Sequence, residues 1–284
     1  MIMTSGGDDF DSVRAEPDPV RRGQRATRLL NVYQQRAVEL ARLRRAAIEE
    51  AHRDRGLSYT EIAEALGITK GRITQIRDTA PLPERAFFGT GPVSIGIPYR
   101  YRVTDRERPL IAAEDAQTGE QLEHLLTSLA FAVTRYQIDP ERTDPPPGDT
   151  VVVCGPKSAV IGAALMARDP ALGMTESGGR WLIEDRRAGQ LIGSPADEDP
   201  AQDADIAYLA RHVLDGRVVV HIAGIHAIGS LGVADYLTSH LDALFIHPDL
   251  FTPTGERPFS AVIRASFDGL TITHSGLIAG PYPW

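Results

Sequence analysis

The stretch VVVCGPKSAVIGAAL, residues 151–165, sets the architecture of the larger part of the chain. Its valines read as a strand buried on both faces, Gly155-Pro156 breaks the run, and the small residues after Lys157 read as a helix. The same unit recurs at RVVVHIAGIHAIGSLGVADYLTSHL, residues 217–241, again with glycines between strand and helix. Working outward, VSIGIPYRYRV (93–103) alternates like a strand, and PLIAA (109–113) is short and apolar. EDAQTGEQLEHLLTSLAFAV (114–133) reads as a helix with acids in its first turn, and TRYQI (134–138) returns to extended form. RWLIEDRRAGQLIGSP (180–195) predicts a hairpin about Arg187-Ala188-Gly189, and FSAVIRASFDGLTITHSGLI (259–278) two antiparallel strands joined at Asp268-Gly269. Strands alternating with helices predict an α/β sandwich with a largely parallel sheet over 93–284, with a candidate internal break at the proline-rich 139–149.

The two glycine turns are the candidate ligand site of this body, which resembles Rossmann-like folds at a coarse level. Glycine lets backbone approach a ligand, a helix N-terminus offers unpaired N–H groups to an anion, and such turns lie at the carboxyl ends of strands. The candidates are Gly155, Lys157 and Ser158 from one turn, and Gly224, His226, Gly229 and Ser230 from the other. Neither turn is a fingerprint. GPKSAVIG is not G-x-x-x-x-G-K-[ST], and the glycines at 224, 229 and 232 lack the G-x-G-x-x-G spacing. Either turn alone reads as ordinary architecture. Two in one body, one with Lys and one with His and Ser, point to a shared pocket for a small anionic or nucleotide-like ligand. No other cofactor is implied.

Other polar residues carry less. Glu114-Asp115 read as first-turn acids that suit the helix dipole. His221 and His226 are five apart without a third ligand, so no metal is expected. SPADEDPAQDADIAYLARH (194–212) reads as a solvated acidic loop from which Asp197 or Tyr208 could edge a pocket. Ser230 does not sit in G-x-S-x-G, and no nucleophile triad is visible, so no catalytic residue is assigned.

The N-terminal part has a different pattern. From Val20 to about His52, Leu30, Tyr33, Ala37, Leu40, Ala41, Ala47, Ile48 and Ala51 recur at three- and four-residue steps, which predicts a long amphipathic helix ended by Gly56. LSYTEIAEALGITKGRITQIRD (57–78) follows. Ser58 and Glu61 make a capping box, Ile62, Ala63 and Leu66 form an inner face, and Gly67 permits a sharp turn. Thr69 caps a second helix whose inner face is Ile73 and Ile76. These spacings make a helix-turn-helix. Over roughly Arg36 to Asp78 the sequence resembles the helix-turn-helix of sigma-factor region 4 and related bacterial transcription regulators. No segment resembles the sigma region that melts the promoter −10 element.

That resemblance implies binding of double-stranded DNA, with the second helix in the major groove. Arg72 and Gln75 are the expected base readers, with Thr69, Lys70, Thr74 and Arg77 completing the DNA-facing set and Thr69, Lys70 and Arg77 on phosphates. The long helix either pairs with its twin in a homodimer or packs back on its own module.

Charge supports this division. Residues 20–85 hold fourteen Arg/Lys against eight Asp/Glu, a balance of +6, which leaves −14 for the rest of a chain whose net charge is −8. Only two of the thirty basic residues are lysines, Lys70 and Lys157. The single cysteine, Cys154, excludes an intrachain disulfide framework and fits a reducing cytoplasm. No apolar run approaches the ~20 residues of a membrane span. The expected order is a disordered leader (1–19), a DNA-binding module (20–80), a linker (81–92) and an α/β sensing body (93–284). Three function classes remain open. They are a DNA-binding transcription regulator with a ligand sensor, a nucleotide- or NAD-processing enzyme tethered to DNA (with Glu114, Asp197 or His226 as weak catalytic candidates), and a non-catalytic platform for RNA polymerase.

Overall fold

A computed structural model describes residues 6–103, 107–245, 250–252 and 255–284, and the chain divides into two compact units. The first runs to Pro83 and includes Thr90–Pro92. The second comprises Glu84–Gly89 and Val93–Trp284.

The first unit is helical, with α1 (Gly6–Arg14), α2 (Pro19–Arg55), α3 (Tyr59–Ala65) and α4 (Lys70–Thr79). Helix α2 starts where Asp18 accepts from the Arg21 N–H at 2.8 Å and Pro19 pre-sets the first turn. It stops at Gly56, whose φ of 67° suits a residue without Cβ. The Ser58–Glu61 capping box opens α3, and Thr69 caps α4 by accepting from the Arg72 N–H at 3.2 Å. Ile48, Ile62, Ala63, Ile73 and Ile76 are each less than 5% exposed and form the core of these helices. Each isoleucine contributes about 2 kcal/mol of burial before chain entropy is counted. Helix α1 falls within the expected leader. Its Phe10 ring lies 5.4 Å from Tyr33, and Glu16 pairs with Arg25 at 3.0 Å.

The second unit is built on a seven-stranded sheet. Its strands are β1 (Val93–Pro98), β2 (Val133–Ile138), β3 (Asp149–Val153), β4 (Ala204–Leu214), β5 (Arg217–Gly224), β6 (Phe259–Asp268) and β7 (Thr271–Pro283). The spatial order is β7-β6-β4-β5-β3-β1-β2. The pairs β5/β3, β3/β1 and β1/β2 are parallel, whereas β5/β4, β4/β6 and β6/β7 are antiparallel. The sheet is therefore mixed, and the expectation of a largely parallel one fails on β4. That strand lies in what reads as an acidic loop, but the carboxylates crowd its approach, and every residue from Ala204 to His212 is buried.

Helices α5 (Ala113–Ser128) and α7 (Ala227–Phe245) cover one face of the sheet. The other face carries α6 (Val160–Met166) and a three-stranded antiparallel sheet of residues 172–177, 180–185 and 190–193. Alternation along β3 follows, with Val151 and Val153 in the α5/α7 core and Val152 facing α6. The 139–149 break does not divide the body, because β2 and β3 on either side join one sheet. Within the expected linker, Pro83–Phe88 form a 3-10 turn whose Phe87 and Phe88 enter the α5/α7 core. Arg211 holds that turn by donating to the Phe87 carbonyl at 2.9 Å. Among the described residues no helix is long and apolar enough to cross a membrane.

Candidate functional site

Strand β1 leads into α5 on one face and β3 into α6 on the other, with β2-β1-β3 adjacent in the sheet. The crossovers that follow the parallel strands β1 and β3 pass over opposite faces of the sheet, and a crevice at the carboxyl ends of such strands is where open α/β sheets take ligands. That crevice is present. It is bounded by Pro98 and Arg100 after β1, Asp115 in the first turn of α5, Cys154, Gly155, Lys157 and Ser158 after β3, and Gly224, Ala227 and Ser230 at the β5–α7 junction. The two turns singled out in the sequence thus meet. Gly155, Lys157, Ser158, Gly224 and Ser230 line one space, and His226 and Gly229 stand behind it.

The crevice is nearly filled, with a free volume of about 10 Å³, room for a single water. Lys157 spans it, and its Nζ donates to the Ile225 carbonyl on the opposite turn. Burial lowers the Lys157 pKa, and the Arg100 charge lowers it further.

Packing, rather than a ligand, accounts for two of the site glycines. A Cβ on Gly224 would collide with the His226 carbonyl and lie 2.7 Å from the Ser230 nitrogen. One on Gly229 would strike the Asp205 carboxylate and lie 3.0 Å from the Ile206 carbonyl. Gly155 is different, since its nearest neighbour would be the Ala223 Cβ at 3.7 Å, an ordinary contact. Ser230 is also occupied, because its Oγ accepts from the Gly224 N–H at 3.0 Å.

Asp205, which the sequence reading missed, organises the β5–α7 junction. It is fully buried on β4, where antiparallel pairing puts its end beside the end of β5. Its Oδ2 accepts from the His226 backbone N–H at 2.9 Å, and its Oδ1 lies 3.1 Å from His226 Nδ1. The Nδ1–H therefore donates to Asp205, leaving Nε2 outward, 3.3 Å from Asp197 Oδ1. The hydrogen bond to Asp205 raises the His226 pKa. The order carboxylate–imidazole–carboxylate can hold and pass a proton at Nε2.

Asp115 is the second surprise. A first-turn acid is expected in solvent, but this one is 5% exposed and faces the crevice. Burial pushes its pKa up to about 6, against the pull of Arg100 and Lys157. Arg100, which the sequence reading also left out, is exposed in the structure and lines the rim of the crevice.

The remaining candidates lie elsewhere. His221 is fully buried and donates from Nε2 to the Cys154 carbonyl at 2.8 Å. Tyr208 is buried on the same face of the sheet, its ring centroid 5.2 Å from that of His221. Among the described residues no group of three His, Cys, Asp or Glu is placed to hold a metal.

In the first unit, α4 buries Ile73 and Ile76 and exposes Lys70, Arg72, Thr74 and Gln75. Arg72 donates to Gln75 Oε1 at 2.5 Å, so the two expected base readers stand together. Thr69 is spent on its cap. Arg77 has partners within the module, its guanidinium binding Glu49 at 2.6 Å and lying 4.4 Å from the Tyr59 ring centre.

Comparison with known proteins gave no match to a family model, to a curated protein or to a solved structure. Function is therefore argued from geometry.

Proposed function

We propose that the protein is a DNA-binding transcription regulator whose α/β body senses a small anionic, nucleotide-like ligand. The observation that carries the sensing half is the crevice. Two strand–helix turns converge there with Lys157, Arg100 and the buried carboxylate of Asp115. The exposed Lys70, Arg72, Thr74 and Gln75 on α4, in a helical unit rich in arginine, support the DNA half. Arg72 suits guanine and Gln75 adenine in the major groove. A homodimer would present two such helices to half-sites one helical turn apart, and ligand would act by shifting the population of dimer arrangements.

The test is selection of preferred sequences from random DNA by the full chain. Arg72→Ala and Gln75→Ala should each relax the preference and cost about 1–3 kcal/mol at the selected site. Unchanged preference in both variants refutes this orientation of α4. A second reading, an enzyme acting on a nucleotide, draws on His226, whose Nε2 faces outward beside the crevice with Asp205 behind it. Turnover of a nucleotide lost in His226→Gln would favour it.

A further inference from the structure

Helix α2 carries its polarity the wrong way round. Gln35 and Arg42 are each only 7% exposed, whereas Leu30, Leu40 and Leu43 are 58%, 66% and 46% exposed. The apolar side is also ordered. Ala26, Leu30, Tyr33, Ala37, Leu40 and Arg44 recur at alternating steps of four and three residues, the repeat of a seam between two helices. All but Tyr33 are exposed. Where the seam begins, α1 and α2 leave an apolar hollow of about 200 Å³ lined by Phe10, Val13, Ala26, Leu29, Leu30 and Tyr33. An apolar face of this extent marks a contact surface.

We infer that this face takes a second copy of the chain, α2 lying antiparallel against α2 with the two-fold axis at position 35. This rests on the dimeric regulator proposed above and names the surface that joins its two copies. The register is set by the leucines. With the axis at 35, Leu30 of one copy meets Leu40 of the other, Leu29 meets Leu43, and Tyr33 meets Ala37. Leu43 of the second copy then fills the hollow beside α1. A slip of one heptad sets Leu29 against Arg36 in one direction and against Glu50 in the other. A parallel pair would set Arg21, Arg22, Arg25 and Arg28 of both copies side by side and Arg44 against itself. The antiparallel pair instead brings Arg44 opposite Ala26 of the other copy, beside α1, whose segment 6–18 holds five acids against one arginine. Its one cost is Arg36, which faces its own copy across the axis at an exposed rim, where salt screens the repulsion. The spacing also suits DNA. Ile48, in the core of the helix-turn-helix, is thirteen residues from the axis, which sets the two cores roughly 39 Å apart along α2, close to one turn of the duplex.

The test is sedimentation equilibrium of the full chain without DNA. The unaltered protein should dimerise, and Leu40→Asp should weaken the dimer by about a hundredfold or more, because each dimer buries that leucine twice. Leu40 is exposed in the single chain, so the variant should keep its unfolding midpoint. Disulfide trapping then reads the register, with the native Cys154 buried out of reach. Chains carrying Leu30→Cys should cross-link to chains carrying Leu40→Cys, and neither should cross-link to itself. Self-cross-linking of Leu30→Cys chains overturns the antiparallel pairing. A monomer, or a dimer unmoved by Leu40→Asp, overturns the surface altogether. DNA selection is read separately. A monomer that still selects a sequence through Arg72 and Gln75 loses the seam and keeps the DNA reading, and a seam-joined dimer with no sequence preference does the reverse.

Discussion

Two imidazoles buried in the sheet should make the second unit sensitive to acid. His212 on β4 is 2% exposed and His221 on β5 is fully buried, both on the face that α6 covers. Burial holds His221 at a pKa of about 4, and burial with the neighbouring His221 and Arg168 holds His212 at about 3. Both are neutral in the folded protein, while in the unfolded chain they take up protons below about pH 6.5. A histidine whose folded pKa is depressed keeps its full contribution above pH 6.5. That contribution is lost as pH falls toward 4 for His221 and toward 3 for His212. At pH 5 each lies 1.5 units below its unfolded pKa, about 2 kcal/mol apiece and about 4 kcal/mol for the pair. Asp115 works in the opposite direction, since its raised pKa imposes a penalty at pH 7 that is relieved as pH falls through 6. Comparison with a double variant, His212→Asn with His221→Asn, isolates the histidines from that effect. The assay is urea unfolding at pH 7.5 and pH 5 followed by tryptophan fluorescence. The chain's two tryptophans, Trp181 and Trp284, both belong to the second unit, so the signal reports on it alone. Between the two pH values the unaltered protein should lose about 4 kcal/mol more than the double variant. A difference below about 1 kcal/mol would refute the assignment of these two groups as neutral and buried.

Three further outcomes follow from contacts described above. Asp115→Asn should stabilise the ligand-free protein by about 1–3 kcal/mol at pH 7, because it removes a buried charge, and the gain should vanish at pH 4; urea midpoints at both pH values decide this. Gly229→Ala should destabilise the second unit by about 1–3 kcal/mol, since the added methyl strikes the Asp205 carboxylate; an unchanged midpoint would mean that the junction is looser than drawn. Arg77→Ala should loosen the first unit through the lost Glu49 pair and Tyr59 contact yet leave the selected DNA sequence unchanged; faster hydrogen exchange in α3 and α4, read beside the DNA selection, separates those effects.

Sequence carried the helical unit well because its signals are local. Ser58 with Glu61, Gly67, Thr69 and the isoleucine spacing each act within one or two turns. The strand–turn–helix units were equally legible from β-branched runs ending at glycine. Strand β4 was not, because a wholly buried strand has no alternation, and the acidic approach to it masked the change at Ala204. The partners of Lys157 and Arg77, Ile225 and Glu49, lie 68 and 28 residues away, so no spacing rule points to them. Asp115 shows the opposite failure. Its position has a sound local explanation in the helix dipole, and only the packing of α5 beside the crevice removes it from water.

The antiparallel half of the sheet gives the crevice one stiff jaw. Beyond the end of β5 the pairing with β4 continues, as the Ile225 N–H donates to the Ile206 carbonyl at 2.9 Å, and Asp205 pins His226 from below. Across from it, Arg100 follows β1 and Lys157 sits in the short connection before α6, outside the seven-stranded sheet. If the crevice takes the small ligand proposed for it, substitutions at Arg100, Asp115, Lys157 and Ser158 should change its selectivity, with the Asp205–His226 wall left in place as the anvil.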